Sequence, residues 1–499
     1  MSSLVQSVDW LAIAPPTLAA VAGLVVLVTD LFVPEHRKPL LGWTAVAGLA
    51  AATLMLLPLL DADRSTFCLV GDTGVCSYTA DRFTLVIQFL VLGGALLTAL
   101  LSVTALGDDR RRLPDGEYWF LLLSSAAGAA LLPAARDLAT LIVALEVASL
   151  PAFALVGLRY GDRRSSEAAL KFFLSSVTAT AVSLMGVSFL YAATGTLHLT
   201  RLAERIQDVD GQLVTLAQTG VVLTLVGFAF KTAAAPFHFW VPDTYVGAPL
   251  PIAAYLSVIG KAVGFTGLIL VTVVALPSYA DVWGPALAAL AALTMTVGNV
   301  GALRQGLTRA YSAVRLLAWS SIGQAGFLLV PIAAAAYSDD AERSIGSTVA
   351  YALMYAAVNL GAFAVAALVG RSHRLNRVAD YRGLYATNPV TALLMGFFLL
   401  CLAGLPPGII GLFAKVTVFA AAVDAGLGWL AVVMAVNVVI ALVYYLKWTA
   451  LLFRAPDGTP AGHRVPAPLT AALAVTGVLG IALSGAPQLI LRFTGTGLF

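Results

Sequence analysis

Apolar stretches long enough to cross a hydrocarbon layer of about 30 Å recur along this chain, separated by short polar segments. Fourteen can be marked, at about 10–33, 39–60, 82–107, 117–133, 138–158, 167–194, 214–240, 249–276, 282–303, 310–333, 345–370, 387–424, 427–453 and 467–490. The pattern predicts an all-α polytopic membrane protein with about 14 transmembrane helices. The run beginning at Trp10 continues to Phe32, and Met1 to Trp10 hold no basic segment, so the first run reads as a retained span and not as a cleaved signal. Trp10, Trp43, Trp119, Trp283 and Trp429 fall near span ends, where an interfacial aromatic belt would put them.

Two spans depart from the pattern in a related way. The seventh contains Lys231-Thr-Ala-Ala-Ala-Pro236-Phe-His238-Phe-Trp240, and the unusually long twelfth contains Gly404-Leu-Pro406-Pro407-Gly408 followed by Lys415. Each joins a helix breaker to a lysine. Proline at membrane depth frees backbone carbonyls and is tolerated only where protein or water satisfies them again, so discontinuous helices mark ion pathways. The two spans are five apart and cross in opposite senses, which predicts two inverted-topology five-helix repeats, each with one broken helix. Topology carries this expectation, since the halves share little direct sequence similarity. The expected division is 1–116 for the first three helices, 117–276 for the first repeat, 282–453 for the second, and 454–499 for the last helix.

Composition narrows the class further. With 499 residues, 60% of them hydrophobic and 11% charged, and a mean hydropathy of +0.91, an ordinary soluble domain is excluded. No exposed basic face remains for a nucleic acid. The odd-numbered loops carry sixteen Lys and Arg residues, among them Arg110, Arg111, Arg112, Arg159, Arg371 and Arg374, against five in the even-numbered loops. That bias places the odd loops in the cytoplasm and both termini outside, in a bacterial inner membrane. Cys68 and Cys76 then share an outward loop, where either a disulfide or two free thiols is chemically permitted. Cys401 reads as apolar filler.

Charge inside the spans is where the candidate chemistry lies. Five of the six lysines, Lys171, Lys231, Lys261, Lys415 and Lys447, fall within apolar stretches. A cation at the centre of a span costs roughly 2.5–3.5 kcal/mol on insertion scales, so its repetition implies a use. Lysine can surrender its proton when buried, whereas arginine stays protonated, which points to titration and not to fixed charge. Glu146 of the fifth span lies at mid-membrane depth, and Lys231 is its expected ionic partner. Glu146, Lys231, Lys261 and Lys415 then form a file along the membrane plane. Lys171 and Lys447 lie near span ends, where snorkelling is the plainer alternative. His238 reads as a relay or a structural cap, and Asp243 as a cap of the broken helix. Asn299, Arg304, Arg315 and Gln324 read as packing or loop polar groups.

The sequence holds no Walker A motif, no dinucleotide fingerprint, no Cys-x-x-Cys and no histidine pair at metal spacing. The expectation is therefore that this chain itself binds no flavin, nucleotide, metal or iron–sulfur cluster.

The run from Phe228 through Lys231, Pro236, His238, Trp240, Pro242-Asp243-Thr-Tyr245-Val-Gly247-Ala-Pro249 to Ser257 and Lys261 resembles the core of the antiporter-like membrane subunits of respiratory complex I, the proton-pumping NADH:quinone oxidoreductase. Arg315-Leu-Leu-Ala-Trp-Ser320-Ser321-Ile-Gly-Gln324-Ala-Gly326-Phe and the Gly-Leu-Pro-Pro-Gly segment leading to Lys415 extend the likeness over nearly the whole chain. It is most similar to the N-type members: the L type continues into a long lateral helix, the M type usually has glutamate at the position of Lys415, and the wording at Tyr245 and Gly247 is that of the N type.

The resemblance implies that Glu146 is a modulating acid, Lys231 the central proton carrier, Lys261 the connecting site and Lys415 the terminal site. It also implies a translocase subunit that couples quinone reduction elsewhere in the complex to proton pumping. Flavin and iron–sulfur clusters would sit on other subunits, the partners would be further membrane and peripheral subunits and the lipid bilayer, and quinone would be met only indirectly. One departure stands out, since Gln324 occupies a place where the family commonly has histidine and an amide does not titrate. The alternative is a subunit of a multisubunit sodium/proton antiporter with the same core; a self-standing solute carrier lacks recognisable substrate-pocket chemistry.

Overall fold

A computed structural model of the chain describes residues 8–69, 72–109, 113–456, 464–495 and 497–498. Its principal helices are α1 (Trp10–Asp30), α2 (Pro39–Leu54), α3 (Arg82–Asp109), α4 (Asp115–Leu131), α5 (Leu138–Gly157), α6 (Arg163–Thr194), α7 (Val214–Thr232), α8 (Trp240–Gly247), α9 (Leu250–Ile269), α10 (Ala280–Leu303), α11 (Ser312–Ala334), α12 (Ala341–Ser372), α13 (Pro389–Ala403), α14 (Ile409–Asp424), α15 (Gly428–Leu452) and α16 (Ala467–Gly485). Twelve helices among the described residues are long and apolar enough to cross a membrane. The predicted segments 117–133 and 387–424 fall outside those twelve. The first forms the 17-residue α4, and the second is divided into α13 and α14. This is a multi-pass membrane protein. Arg110, Arg111 and Arg112, counted above among the loop cations, lie outside the described residues.

α9, α11 and α12 are buried along almost their whole length and form the centre of the bundle. Small residues let the helices close: a Cβ on Gly298 of α10 would run into the backbone of Gly323 on α11. By contrast α1, α15 and α16 turn large apolar side chains outward, including Leu24, Val28, Val432, Val436, Val439 and Ile481. Such faces suit lipid or neighbouring apolar helices, because no water is available to demand polar groups there.

The helical reading missed one element. The second loop folds into an antiparallel hairpin of β1 (Arg64–Leu69) and β2 (Asp72–Ala80), in which Cys68 and Cys76 face each other and are joined as a disulfide. Arg64 of the hairpin pairs with Asp9 at the start of α1, 2.9 Å away. The Phe83 amide donates to the Leu498 carbonyl and the Leu498 amide to the Glu342 carboxylate, so the last described residues meet the starts of α3 and α12.

The expected aromatic belt holds only in part. Trp10, Trp43 and Trp429 are exposed, but Trp119 and Trp283 are fully buried. The indole of Trp283 donates to the Leu276 carbonyl, and Trp119 packs where α2 presents Gly42. Tryptophan near a helix end is recruited to the helix interface when a small residue leaves room for it.

Candidate functional site

Both broken spans follow from one rule of backbone chemistry. In an α-helix each carbonyl accepts from the N–H four residues on, and proline has none. Pro236 therefore orphans the Thr232 carbonyl, while Pro406 and Pro407 orphan those of Leu402 and Ala403. α7 ends at Thr232 with Ala233 in the left-handed region, φ +67°, and α13 ends at Ala403 with Gly404 at φ +82°. The Ala235–Pro236 and Pro406–Pro407 bonds are both cis.

A lysine ammonium answers each orphaned end. Lys261 of α9 donates to the Thr232 carbonyl at 3.4 Å, and Lys415 of α14 donates to the Leu402 and Ala403 carbonyls at 2.9 and 2.7 Å. A cation at a helix C-terminus is also favoured by the helix dipole. Close backbone approach makes both contacts possible. Gly264 of α9 leaves no room for a Cβ against Thr232, and Gly411 of α14 leaves none against the Cys401 carbonyl.

Lys231 occupies the last turn of α7. Its ammonium donates to Ser149 Oγ of α5 at 2.7 Å and lies over the rings of Phe172 and Phe153, at 5.3 and 5.7 Å from their centroids. Lys231, Lys261 and Lys415 are 3%, 2% and 4% exposed, which rules out snorkelling for all three. The expected direct pair between Glu146 and Lys231 is not formed. Glu146 Oε1 instead accepts from Thr180 Oγ1 of α6 at 2.7 Å, and Ser149, one turn along α5, takes the ammonium. Ser149 thus stands where the carboxylate was expected, as the direct partner of Lys231.

Polar side chains continue the file between the lysines. Ser257, one turn before Lys261 on α9, accepts from Asn359 Nδ2 at 2.7 Å, and its carbonyl accepts from Tyr355 Oη at 3.1 Å. Tyr351, one turn before Tyr355 on α12, donates to Gln324 Oε1. Gln324 Nε2 then reaches the Leu402 carbonyl at 3.3 Å, which Lys415 already holds. Gln324 is thus a buried and fully partnered group at the heart of the file. Ser149, Thr180, Tyr351, Tyr355 and Asn359 are not among the sequence candidates, and Ser257 enters the sequence reading only as part of the run that leads to Lys261. A further sequence trace is the Tyr351/Tyr355 pair at helical spacing inside an apolar run.

The remaining candidates lie elsewhere. Lys171 is 47% exposed and binds Glu167 and Asp243 at 2.8 and 2.9 Å, apart from the buried file. Asp243 does not cap a helix. It sits in the first turn of α8 and pairs outward with Lys171 and, at 3.5 Å, with Arg315, because two cations on α6 and α11 converge there. His238 lies in the irregular link between α7 and α8, half-buried against Trp319, and its Nδ1 has no hydrogen-bond partner among the described residues. Lys447 is exposed on α15, and Cys401 is buried beside Gly408 and Gly411. A cavity of about 580 Å³ opens among the odd-numbered loops, lined by Arg159, Asp162, Tyr311, Arg371 and Arg374, and reaches inward to Tyr245.

Residues 135–441 match the family model described as NADH:quinone oxidoreductase/Mrp antiporter, TM. The chain is 74% identical to NADH-quinone oxidoreductase subunit N 2 of Streptomyces griseus subsp. griseus, with 100% of this chain and 95% of the relative covered. A chain in the solved structure of respiratory complex I from Thermus thermophilus with bound Aureothin is 31% identical, with a TM-score of 0.78 over 96% of this chain and 98% of that one. A chain of the Mrp complex from a Dietzia species, 21% identical, shares the fold with a TM-score of 0.81 over 96% of each.

Proposed function

Since the chain belongs to the NADH-quinone oxidoreductase subunit N family, we propose that it is a proton-translocating subunit of the membrane arm of a complex I, driven by quinone reduction on other subunits. The observation that carries this reading is the set of buried lysines beside proline-broken helices. A neutral lysine keeps two N–H donors, so Lys415 can lose a proton and still satisfy both orphaned carbonyls. The site therefore has a stable arrangement for either charge state. A fixed structural cation would need no such provision.

In this mechanism a charge displacement reaching α5 moves Glu146 relative to Thr180 and alters the field at Lys231. The Lys231 proton is then released toward Lys261, and transfer continues past Ser257, Tyr355 and Tyr351, with water bridging, to Lys415. Glu146, Lys231, Lys261 and Lys415 are the proposed pathway residues. His238 is a side relay, and Lys171 serves through its ion pairs and not as a carrier. Uptake begins at the cavity near Tyr245, whose arginine-rich rim would lie in the cytoplasm.

The same reading places all fourteen segments across a bacterial inner membrane with both termini outside. The contact of Leu498 with the start of α3, which follows the hairpin tied to Asp9 at the start of α1, supports an even number of crossings. The divisions 117–276 and 282–453 serve as the two inverted half-channel repeats, flanked by 1–116 and 454–499. Flavin, iron–sulfur clusters and quinone are handled by partner subunits, with no cofactor or metal on this chain.

Purification of the tagged chain in mild detergent tests the assignment. It should bring down an assembly that oxidises NADH with quinone. The shared fold with the Mrp complex makes a cation/proton antiporter the second reading, and recovery of a membrane-only assembly with sodium/proton exchange and no NADH oxidation would establish it instead.

A further inference from the structure

Gln324 of α11 has all its hydrogen-bonding groups engaged inside the bundle. Its Nε2 donates to the Leu402 carbonyl at 3.3 Å and to Tyr445 Oη at 3.1 Å, and its Oε1 accepts from Tyr351 Oη. The amide can be oriented in one way only, because a carbonyl at Leu402 needs a donor and so must face the nitrogen. That orientation leaves the oxygen to Tyr351. Tyr445 accepts from the amide, and Ser320 Oγ stands 2.5 Å from its hydroxyl, where either group can donate. The donors therefore run in one direction from Tyr351 through Gln324 to Tyr445.

Lys415 is tied to the same carbonyl. Its ammonium holds Leu402 and Ala403, and its third side faces the ring of Phe327, 5.5 Å to the centroid. Phe327 in turn stacks on Tyr351 with centroids 6.0 Å apart. Gln324 thus touches the lysine's acceptor directly and steadies the aromatic face through Tyr351. When Lys415 gives up a proton its two remaining N–H donors can stay on both carbonyls, and the amide donor of Gln324 holds the Leu402 carbonyl in place through the change.

We propose that Gln324 is a positioning residue for proton transfer at Lys415: it shares the Leu402 carbonyl with the lysine and sets the direction of the flanking tyrosine hydroxyls, without carrying a proton itself. This rests on the reading of Lys415 as a proton carrier. The groups facing Gln324 are Tyr351 from α12, Tyr445 with Tyr444 behind it from α15, Lys415 from α14 and the Leu402 carbonyl of α13. A side chain at 324 that donates and accepts at opposite ends should therefore work, and one that does neither should not.

The test uses the assembled complex in vesicles, with assembly checked on native gels and three variants compared. Lys415→Arg keeps the cation but cannot release a proton, and should lose proton uptake per NADH; normal uptake there would overturn the carrier reading itself. With that loss established, Gln324→Leu should lose uptake to a similar degree, and the solvent deuterium isotope effect on turnover should rise as proton transfer becomes slower. Gln324→His, whose neutral ring has one donor and one acceptor nitrogen, should retain uptake and a wild-type isotope effect. Wild-type uptake in Gln324→Leu would overturn the proposal. If that variant fails to assemble, Gln324→His decides: uptake lost with a normal isotope effect marks Gln324 as packing only and overturns it as well.

Discussion

The first broken span ends in a carbonyl held by a lysine from a neighbouring helix, whereas the second ends in two carbonyls held by a lysine from its own second half. Both satisfy backbone groups that proline has stranded inside the bundle. The first break alone carries an additional lysine, Lys231, one residue before the end of α7 and directed at the helix that holds Glu146. No carboxylate among the described residues forms an ion pair with Lys415. The difference divides the labour. On the proposed function, the first break would feel a charge change on α5, and the second would accept or release a proton in a site whose own backbone tolerates either state.

The largest effect should come from closing the space that both breaks need. Gly411→Val would drive a side chain into the Cys401 carbonyl, and Gly264→Val into Thr232, where backbone cannot yield. Each should abolish incorporation of the subunit, seen as its absence from the assembled complex on a native gel. Next in size, Glu146→Gln should assemble normally yet strongly reduce proton uptake per NADH, because it removes the charge that addresses Lys231. Uptake equal to wild type would remove α5 from the coupling route.

Ser149→Ala should follow. It removes a hydrogen bond to an ammonium worth about 1.5–3 kcal/mol, and a double-mutant cycle with Lys231→Ala, read in proton uptake, should show that the two losses are not additive. The smallest effects should be backbone effects of opposite sign. Ala233 adopts a left-handed conformation that Gly404 adopts without penalty, a difference on the order of 1–3 kcal/mol. Ala233→Gly should raise the thermal stability of the complex slightly, and Gly404→Ala should lower it, the more so because its new methyl meets the Lys415 side chain.

Much of this fold is legible in the sequence because membrane spans are written in length and apolarity, which do not depend on tertiary contacts. Pro236, Pro406 and Pro407 even name the three orphaned carbonyls by counting back four residues. Which donor answers them is not written locally. Lys261 lies 29 positions from Thr232 along the chain, and only packing of α9 on α7 brings them together. The Glu146–Lys231 pair was expected from two opposite charges at one depth, but the one-turn offset that gives the ammonium to Ser149 depends on helix rotation. Asp243 looked like a cap because it follows a proline near a helix start; Lys171 and Arg315 claim it across space. The hairpin carrying Cys68 and Cys76 sits in a loop whose pairing is set by α1 and α3 at its base, so the span pattern was silent about it.

The central claim is that Lys231 carries a proton and is not a fixed cation. Proton uptake per NADH oxidised, measured in vesicles for Lys231→Arg beside Lys231→Ala with assembly confirmed, tests it most directly. Arginine preserves the charge toward Ser149 and Glu146 but stays protonated in this setting. The account predicts that uptake in the arginine variant falls nearly as far as in the alanine variant. Near-normal uptake with arginine, together with failed assembly with alanine, would contradict it and leave Lys231 as scaffold.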